Sequence, residues 1–165
     1  KGYDIFGKAV LNILDKYPDW RAIVIGDEPR EKINFYHNRF KILGFQNNIK
    51  VINWFKKSDI SVICSRIEEP FGRTALEASS AGCAVIISNR GGLPEASPLA
   101  IKIKNLTIQN LQKKIEKLIN DSDYKKSIQK KIYKNFMLTN EFVSKKIDEF
   151  RLKLIKSWFY LKHYS

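Results

Sequence analysis

The chain has 165 residues, 44% hydrophobic, 28% charged and 12% aromatic, enough apolar material to bury a core in one domain of ordinary size and too much for a disordered polymer. No apolar run approaches the roughly 20 residues needed to cross a bilayer, which excludes a membrane-spanning helix. Its 30 Lys and Arg against 17 Asp and Glu give a formal charge of +13, which directs attention to polyanions and anionic surfaces.

Residues 3–16 place Ile5, Phe6, Ala9, Val10, Ile13 and Leu14 at helical spacing, and Tyr17-Pro18-Asp19 stops the run, so an amphipathic helix is expected. The apolar stretch 21–25, closed by Gly26-Asp27, reads as a buried parallel strand. A short helix over 31–36 follows, then a strand over 40–43 ending at Gly44. Next comes a helix over 48–57 with Ile49, Ile52 and Phe55 turned inward. A third strand over 60–64 runs through the loop 65–71 into a helix over 72–81. A fourth strand, 84–88, ends in the turn-forming run Asn89-Arg90-Gly91-Gly92-Leu93-Pro94. Residues 101–103 add a strand, and helices are expected over 108–120, 122–136 and 140–158.

Strands alternating with helices imply right-handed crossovers and an open, mostly parallel sheet with helices on both faces. The fold class is therefore α/β, a Rossmann-like doubly wound sheet with a helical C-terminal tail. Ligands of such sheets bind beyond the carboxyl ends of the strands, which singles out the loops at Gly26, Gly44, 65–71 and 89–95. Neither GxGxxG nor GxxxxGK[ST] follows any strand, which weighs against NAD enzymes and P-loop ATPases. Cys64 and Cys83 lie in apolar segments without a CxxC or Cys/His cluster, so buried reduced thiols and a cytoplasmic setting are expected. His37 and His163 are too few for a metal site or a serine-type triad and read as surface residues. No metal is expected.

The most informative stretch joins the third strand to its helix. Glu69 precedes that helix and Glu77 lies one to two turns inside it, so both carboxylates can face one ligand held across the helix N-terminus. A carboxylate has two acceptor oxygens and can take both hydroxyls of a vicinal diol, as sugars offer. Between them, Gly72 allows close backbone approach, and the N–H groups of Gly72, Arg73 and Thr74 face the place of a phosphate. Thr74-x-x-Glu77 also has the spacing of a capping box, and a loop Glu69 is equally at home in solvent. The residues alone leave both readings open.

The run Glu69-Pro70-Phe71-Gly72-Arg73-Thr74-Ala75-Leu76-Glu77-Ala78 is followed by Ala81-Gly82-Cys83-Ala84-Val85-Ile86 and by Gly91-Gly92-Leu93-Pro94-Glu95. It resembles the donor-binding, C-terminal half of GT-B glycosyltransferases, specifically the large retaining group 1 family that includes bacterial lipopolysaccharide and mannosyl transferases. Lys1-Gly2, Val24-Ile25-Gly26-Asp27, Leu43-Gly44 and Ser58-Asp59-Ile60 come in that family's order at near-family spacing. The resemblance implies a Rossmann-like donor domain over 1–120 that lacks its first strand. The basic helices of 121–165 would then pack on it or on an N-terminal domain.

By this resemblance Glu77 holds the ribose diol of the nucleotide, and Glu69, the catalytic carboxylate, meets hydroxyls of the donor hexose. Phe71, Gly72, Arg73 and Thr74 line hexose and diphosphate mainly through backbone, and the base stacks near 45–48. Lys1 matches the Lys of an Arg/Lys pair that neutralises the leaving diphosphate without a metal; the Arg would lie before Lys1. Glu95, Gly44 and Arg66 form a second tier. Residues 96–100 depart from the family's glycine-containing loop, and Arg66 has the choice of a phosphate or a neighbour such as Glu68. The implied reaction is retaining hexosyl transfer from a nucleotide-diphosphate sugar to a glycan or lipid-linked acceptor, with no cofactor. An N-terminal GT-B domain would supply the acceptor site, so this chain by itself is expected to bind donor weakly and transfer little.

The charge excess belongs to the tail: residues 101–165 hold 16 Lys and Arg against 6 Asp and Glu, residues 1–100 hold 14 against 11. Lys113, Lys114, Lys117, Lys125, Lys126, Lys130, Lys131 and Lys134 read first as solvated helix faces. Leu152, Leu154, Ile155, Trp158, Phe159 and Tyr160 among Lys and Arg suggest peripheral attachment to an anionic membrane surface on its inner face. The resemblance instead sends the last helix back to the N-terminal domain. A basic nucleic-acid-binding module is the alternative of a different class, but no helix-turn-helix, RRM or zinc-finger wording supports it and no nucleic acid is expected. A non-catalytic transferase half is the third reading.

Overall fold

The structure, a computed structural model, describes residues 1–26 and 34–164, with side chains to residue 158. It divides into two compact units, Lys1–Lys134 and Asn135–Ser165. The first contains, in chain order, α1 (Tyr3–Lys16), β1 (Ala22–Val24), β2 (Phe40–Ile42), α2 (Asn48–Lys56), β3 (Ile60–Ile63), α3 (Arg73–Ser80), β4 (Ala84–Ser88), α4 (Leu93–Ala96), β5 (Ile101–Ile103), α5 (Ile108–Asn120) and α6 (Ser122–Lys134). The second consists mainly of α7 (Asn140–Tyr164).

All strand pairs are parallel. The run Ala84-Val85-Ile86-Ile87-Ser88 has no polar residue until its end, and every residue of β4 is buried. Alternation along a strand sends successive side chains to opposite faces. Ala84 and Ile86 accordingly enter one core, with Ile13 and Leu14 of α1 and Leu111, Ile115 and Leu118 of α5. Val85 and Ile87 enter the other, with Ala75 and Ala78 of α3, Leu93 of α4 and Ile132 of α6. Burial on both faces explains why β4 reads as a continuous apolar run. Helices cover both faces, as the sequence pattern predicts, and the fold is a Rossmann-like α/β domain.

The strands form two sheets in place of the single expected one: β1 pairs with β2, and β3-β4-β5 stand together. No backbone hydrogen bond joins the two sheets among the described residues. Helix α1 links them. Its apolar face shares one core with Ala22 and Phe40 of the first sheet and with Ala84, Ile86 and Ile103 of the second. Cys64 Sγ, just after β3, donates to Gly2 O at 3.3 Å. At the other end of α1, the Arg39 guanidinium donates to the carbonyls of Tyr17 at 2.8 Å, Pro18 at 2.6 Å, Trp20 at 3.1 Å and also Leu14. A cation is favoured there because the last carbonyls of a helix lack intrahelical partners and carry partial negative charge.

Several expectations change. Of the helix expected over 31–36, residues 31–33 lie outside the described residues, and Asn34, Phe35 and Tyr36 are irregular. Ile49 is 74% exposed, because α2 turns its Val51, Ile52 and Phe55 side inward and leaves its first turn in solvent. His37 is no plain surface residue: its ring is half-buried, Nδ1 accepts from Arg39 N at 3.0 Å, and Nε2 stands 3.5 Å from Asp15 Oδ1. The turn after β4 contains a one-turn helix, α4, with Pro94 in its second position, where no N–H is needed. The cysteines are free and buried, and burial pushes the thiols up to about 11 for Cys64 and about 12 for Cys83. No helix among the described residues is long and apolar enough to cross a membrane.

Replacing Arg39 by Ala leaves the α1 carbonyls without their cationic donor. Arg39→Ala is expected to cost about 2 kcal/mol of folding free energy, read as a lower urea midpoint with an unchanged slope.

Candidate active site

Parallel register brings the loops after β3 and β4 to the same edge of the sheet, since Ile60 faces Ala84 and Ile63 faces Ile87. The two loops are interlocked. Gly92 N donates to Glu69 O at 2.7 Å, and Gly91 N donates to the Glu68 carboxylate, which also accepts from Arg90 Nη1 at 3.1 Å. Gly91 has φ +49°, and a Cβ there would lie 2.2 Å from Glu69 O, a distance no side chain tolerates. The Gly91-Gly92 turn is therefore the floor beneath Glu69. Ser88 Oγ donates to Ser65 O at 2.7 Å and fixes the start of the same loop from β4.

Gly72, with φ +90°, bends the chain from this loop into α3, and its missing side chain lets Leu93 of α4 approach. No side chain caps α3. Ala75 N and Leu76 N both donate to Gly72 O, whereas the N–H groups of Gly72, Arg73 and Thr74 have no acceptor among the described residues. Three backbone donors and the positive end of the helix dipole thus converge at this N-terminus.

The capping-box reading of Glu77 fails on geometry. Glu77 Oε1 accepts from Arg73 Nε at 2.8 Å and from Asn48 Nδ2 of α2 at 2.8 Å, and the side chain is 16% exposed. Both donors converge on Oε1, so Oε2 has no protein donor among the described residues. Glu69 is held by Lys1, whose Nζ lies 2.9 Å from Oε1 and 3.2 Å from Oε2, and is 14% exposed. Burial raises its pKa, but the hydrogen bonds and charge of Lys1 outweigh burial and hold the carboxyl below the ordinary carboxylate value. The arrangement offers two braced carboxylates on either side of a helix N-terminus, a layout able to bind hydroxyls flanking a phosphate.

Among the other sequence candidates, Phe71, Arg73 and Thr74 are exposed beside Gly72, with Phe71 at 52%. Gly44 accepts Gly26 N at 2.9 Å and closes the β1-β2 sheet instead of joining the carboxylates. Arg66 pairs with Asp4 of α1 in place of Glu68. Glu95 is exposed on α4 with no side-chain partner among the described residues. The sequence reading missed Asn48 as the second brace of Glu77, Glu68 as the clamp on the Gly91 turn, and Ser88. Asn48 is 29 positions from Glu77, and no local pattern announces the pair. Among the described residues, no group of three or more His, Cys, Asp and Glu is placed to hold a metal.

Fold and site together define a Rossmann-like α/β domain whose polar groups gather at the carboxyl ends of its strands. Residues 1–135 match the family described as "Glycosyl transferases group 1". The lipopolysaccharide core biosynthesis mannosyltransferase LpcC of Rhizobium leguminosarum bv. viciae is 31% identical over 107 residues, 58% of this chain and 30% of that protein. The C-terminal domain of a glycosyl transferase group 1 family protein (LpcC) from Francisella tularensis superposes with a TM-score of 0.70 at 29% identity, covering 81% of this chain and 76% of that one. Anabaena HepE, solved in complex with UDP-glucose, superposes with a TM-score of 0.73 at 22% identity, covering 95% of this chain and 45% of that one. The chain belongs to the group 1 glycosyltransferases, and its fold is that of one half of a GT-B enzyme. It spans about 30% of the length of the Rhizobium relative.

The depressed Glu69 pKa has a stability consequence of definite sign. The Lys1 pairing contributes fully above the unfolded carboxylate pKa and is lost as pH falls through the lower folded value. In a carboxyl-carbon NMR titration, Glu69 is expected to titrate below exposed glutamates, and Lys1→Gln to move it upward.

Proposed function

We propose that this chain is the donor-binding half of a retaining, metal-independent GT-B hexosyltransferase. The observation that carries the reading is the pair Glu69 and Glu77, each braced from outside the loop, on either side of three N–H groups that have no acceptor among the described residues. The fold shared with HepE, a protein solved with UDP-glucose, supports a nucleotide-diphosphate sugar as donor, and the mannosyltransferase relative supports a hexose. In this reading the ribose diol takes the open Oε2 side of Glu77, and the diphosphate sits at the N-terminus of α3.

Lys1 exchanges its partner when donor binds. Its ammonium turns from Glu69 to the diphosphate, and Glu69 is released to accept from the hexose hydroxyls. As the anomeric carbon gains positive character, the helix N–H groups and Lys1 stabilise the charge growing on the leaving diphosphate. An N-terminal GT-B domain, with Lys1–Lys134 packed beside it, supplies the acceptor site for a glycan or lipid-linked acceptor, and no metal or cofactor takes part.

Attachment to an anionic membrane surface has its own support in α7. Val143, Ile147, Phe150, Leu154 and Trp158 recur at intervals of three and four, on one side of the helix, and all are at least 40% exposed. At 100° per residue, Lys146 and Lys153 flank this stripe on one side and Arg151 on the other, the arrangement of an interfacial helix.

UDP, GDP and ADP, with and without sugar, are expected to divide the donor question in a thermal-shift series. One nucleotide at about 100 times its dissociation constant should add roughly 2.7 kcal/mol, and Glu77→Ala should abolish the shift without lowering the melting temperature by more than a few degrees. No shift with any nucleotide would sink the donor reading. For the membrane, the wild-type chain is expected to pellet with phosphatidylglycerol vesicles and Phe150→Glu/Leu154→Glu to stay in the supernatant; equal pelleting of both removes α7 from the account.

A further inference from the structure

Away from the paired glutamates, between β5 and α5, lies a concavity of about 530 Å3. Five lysines line it: Lys102 on β5, Lys104 just beyond it, and Lys113, Lys114 and Lys117 on α5. No carboxylate lines it, and neither does any residue of the Glu69 and Glu77 site. Asn110 Nδ2 donates to Asn105 O at 2.9 Å, closing the connection between strand and helix and fixing the two groups of lysines relative to each other.

Neighbouring basic residues behave differently. Lys16 pairs with Glu116 at 3.0 Å and Lys125 with Asp59 at 3.4 Å. Glu116 is the one carboxylate of α5, and Lys16 of α1 holds it. Among the described residues the five basin lysines have no ion-pair partner, although Lys117 Nζ lies 4.4 Å from the Tyr124 ring centroid. Lys113 and Lys117 are also spaced i, i+4 along α5, which sets like charges against each other. An anion in the concavity would relieve that repulsion.

The lining also constrains the anion. It contains no aromatic ring, so it offers no platform on which a nucleobase stacks. It contains no arginine, so it offers point charges in place of the planar fork that grips a carboxylate or a phosphate in bidentate fashion. Lysines act as point charges, and five of them around one concavity suit closely spaced phosphate oxygens.

We propose that this basin is a second anion site, which binds a phosphate-rich group independently of the donor site. The phosphate belongs either to a soluble phosphorylated compound or to a lipid headgroup, and the test separates the two. Inorganic tripolyphosphate, added to the isotopically labelled full chain, is expected to shift the backbone amides of 102–105 and 110–117 in a saturable way. Lys113→Gln/Lys117→Gln should weaken that response about tenfold, as expected for the loss of two charge-assisted contacts. Glu77→Ala should leave it unchanged, which keeps its failure separate from failure of the donor reading. Lys126→Gln/Lys130→Gln removes the same charge from α6 and should also leave it unchanged. Shifts confined to 72–74, or equal weakening by the two lysine pairs, overturn the proposal. With phosphatidylglycerol vesicles, reduced pelleting of Lys113→Gln/Lys117→Gln relative to Lys126→Gln/Lys130→Gln assigns the phosphate to lipid; equal pelleting of the two assigns it to a soluble ligand.

Discussion

The parallel register of β3 and β4 is the constraint from which the site follows. Because the two strands run side by side with no offset at their ends, their carboxyl-terminal loops meet, and the second must pass directly under the first. That passage is possible only where Gly91 has no side chain, since a Cβ would strike the Glu69 backbone. The contact fixes the height and tilt of Glu69 above the sheet. β4 can set this register because it is buried on both faces, so a slip of one residue would exchange its two cores.

Charge in this domain is arranged in two ways. Beyond the carboxyl ends of β3 and β4 four ionisable pairs stand together: Lys1 with Glu69, Arg73 with Glu77, Arg90 with Glu68, Arg66 with Asp4. These pairs lie near the surface and contribute little to stability individually. What they do is hold carboxylates in fixed rotamers without neutralising every oxygen, as the open Oε2 of Glu77 illustrates. Around β5 and α5 the basin lysines have no answering carboxylate among the described residues. A net positive charge read from composition alone merges these two situations, one of which positions side chains and the other of which attracts anions.

Much of the fold was legible because local pattern and burial agree. The helical spacing in α1, the apolar run of β4 and the loop-to-helix turn at Gly72 each follow from one periodicity or one glycine. The misjudged elements are those where pattern and environment part. Ile49 has the spacing of an inward residue, yet its side chain stands in solvent on the side of α2 away from Val51, Ile52 and Phe55. His37 is isolated in sequence, and its partial burial comes from Asp15 and Arg39, which the chain returns to it from either side. The expected single sheet is two, because α1 bridges the strand groups through side chains and no backbone ladder does.

The sequence by itself determined the class of fold, and it singled out the stretch between β3 and α3 with its two glutamates and the glycine between them, since each depends on residues close together in the chain. Tertiary structure decided whether those glutamates are free, capping or braced. Asn48 reaches Glu77 from another helix, Lys1 reaches Glu69 across 68 positions, and the Gly91 turn supports Glu69 from the next strand. Contacts between residues so far apart are set by strand register and helix packing, and only folding brings them into being.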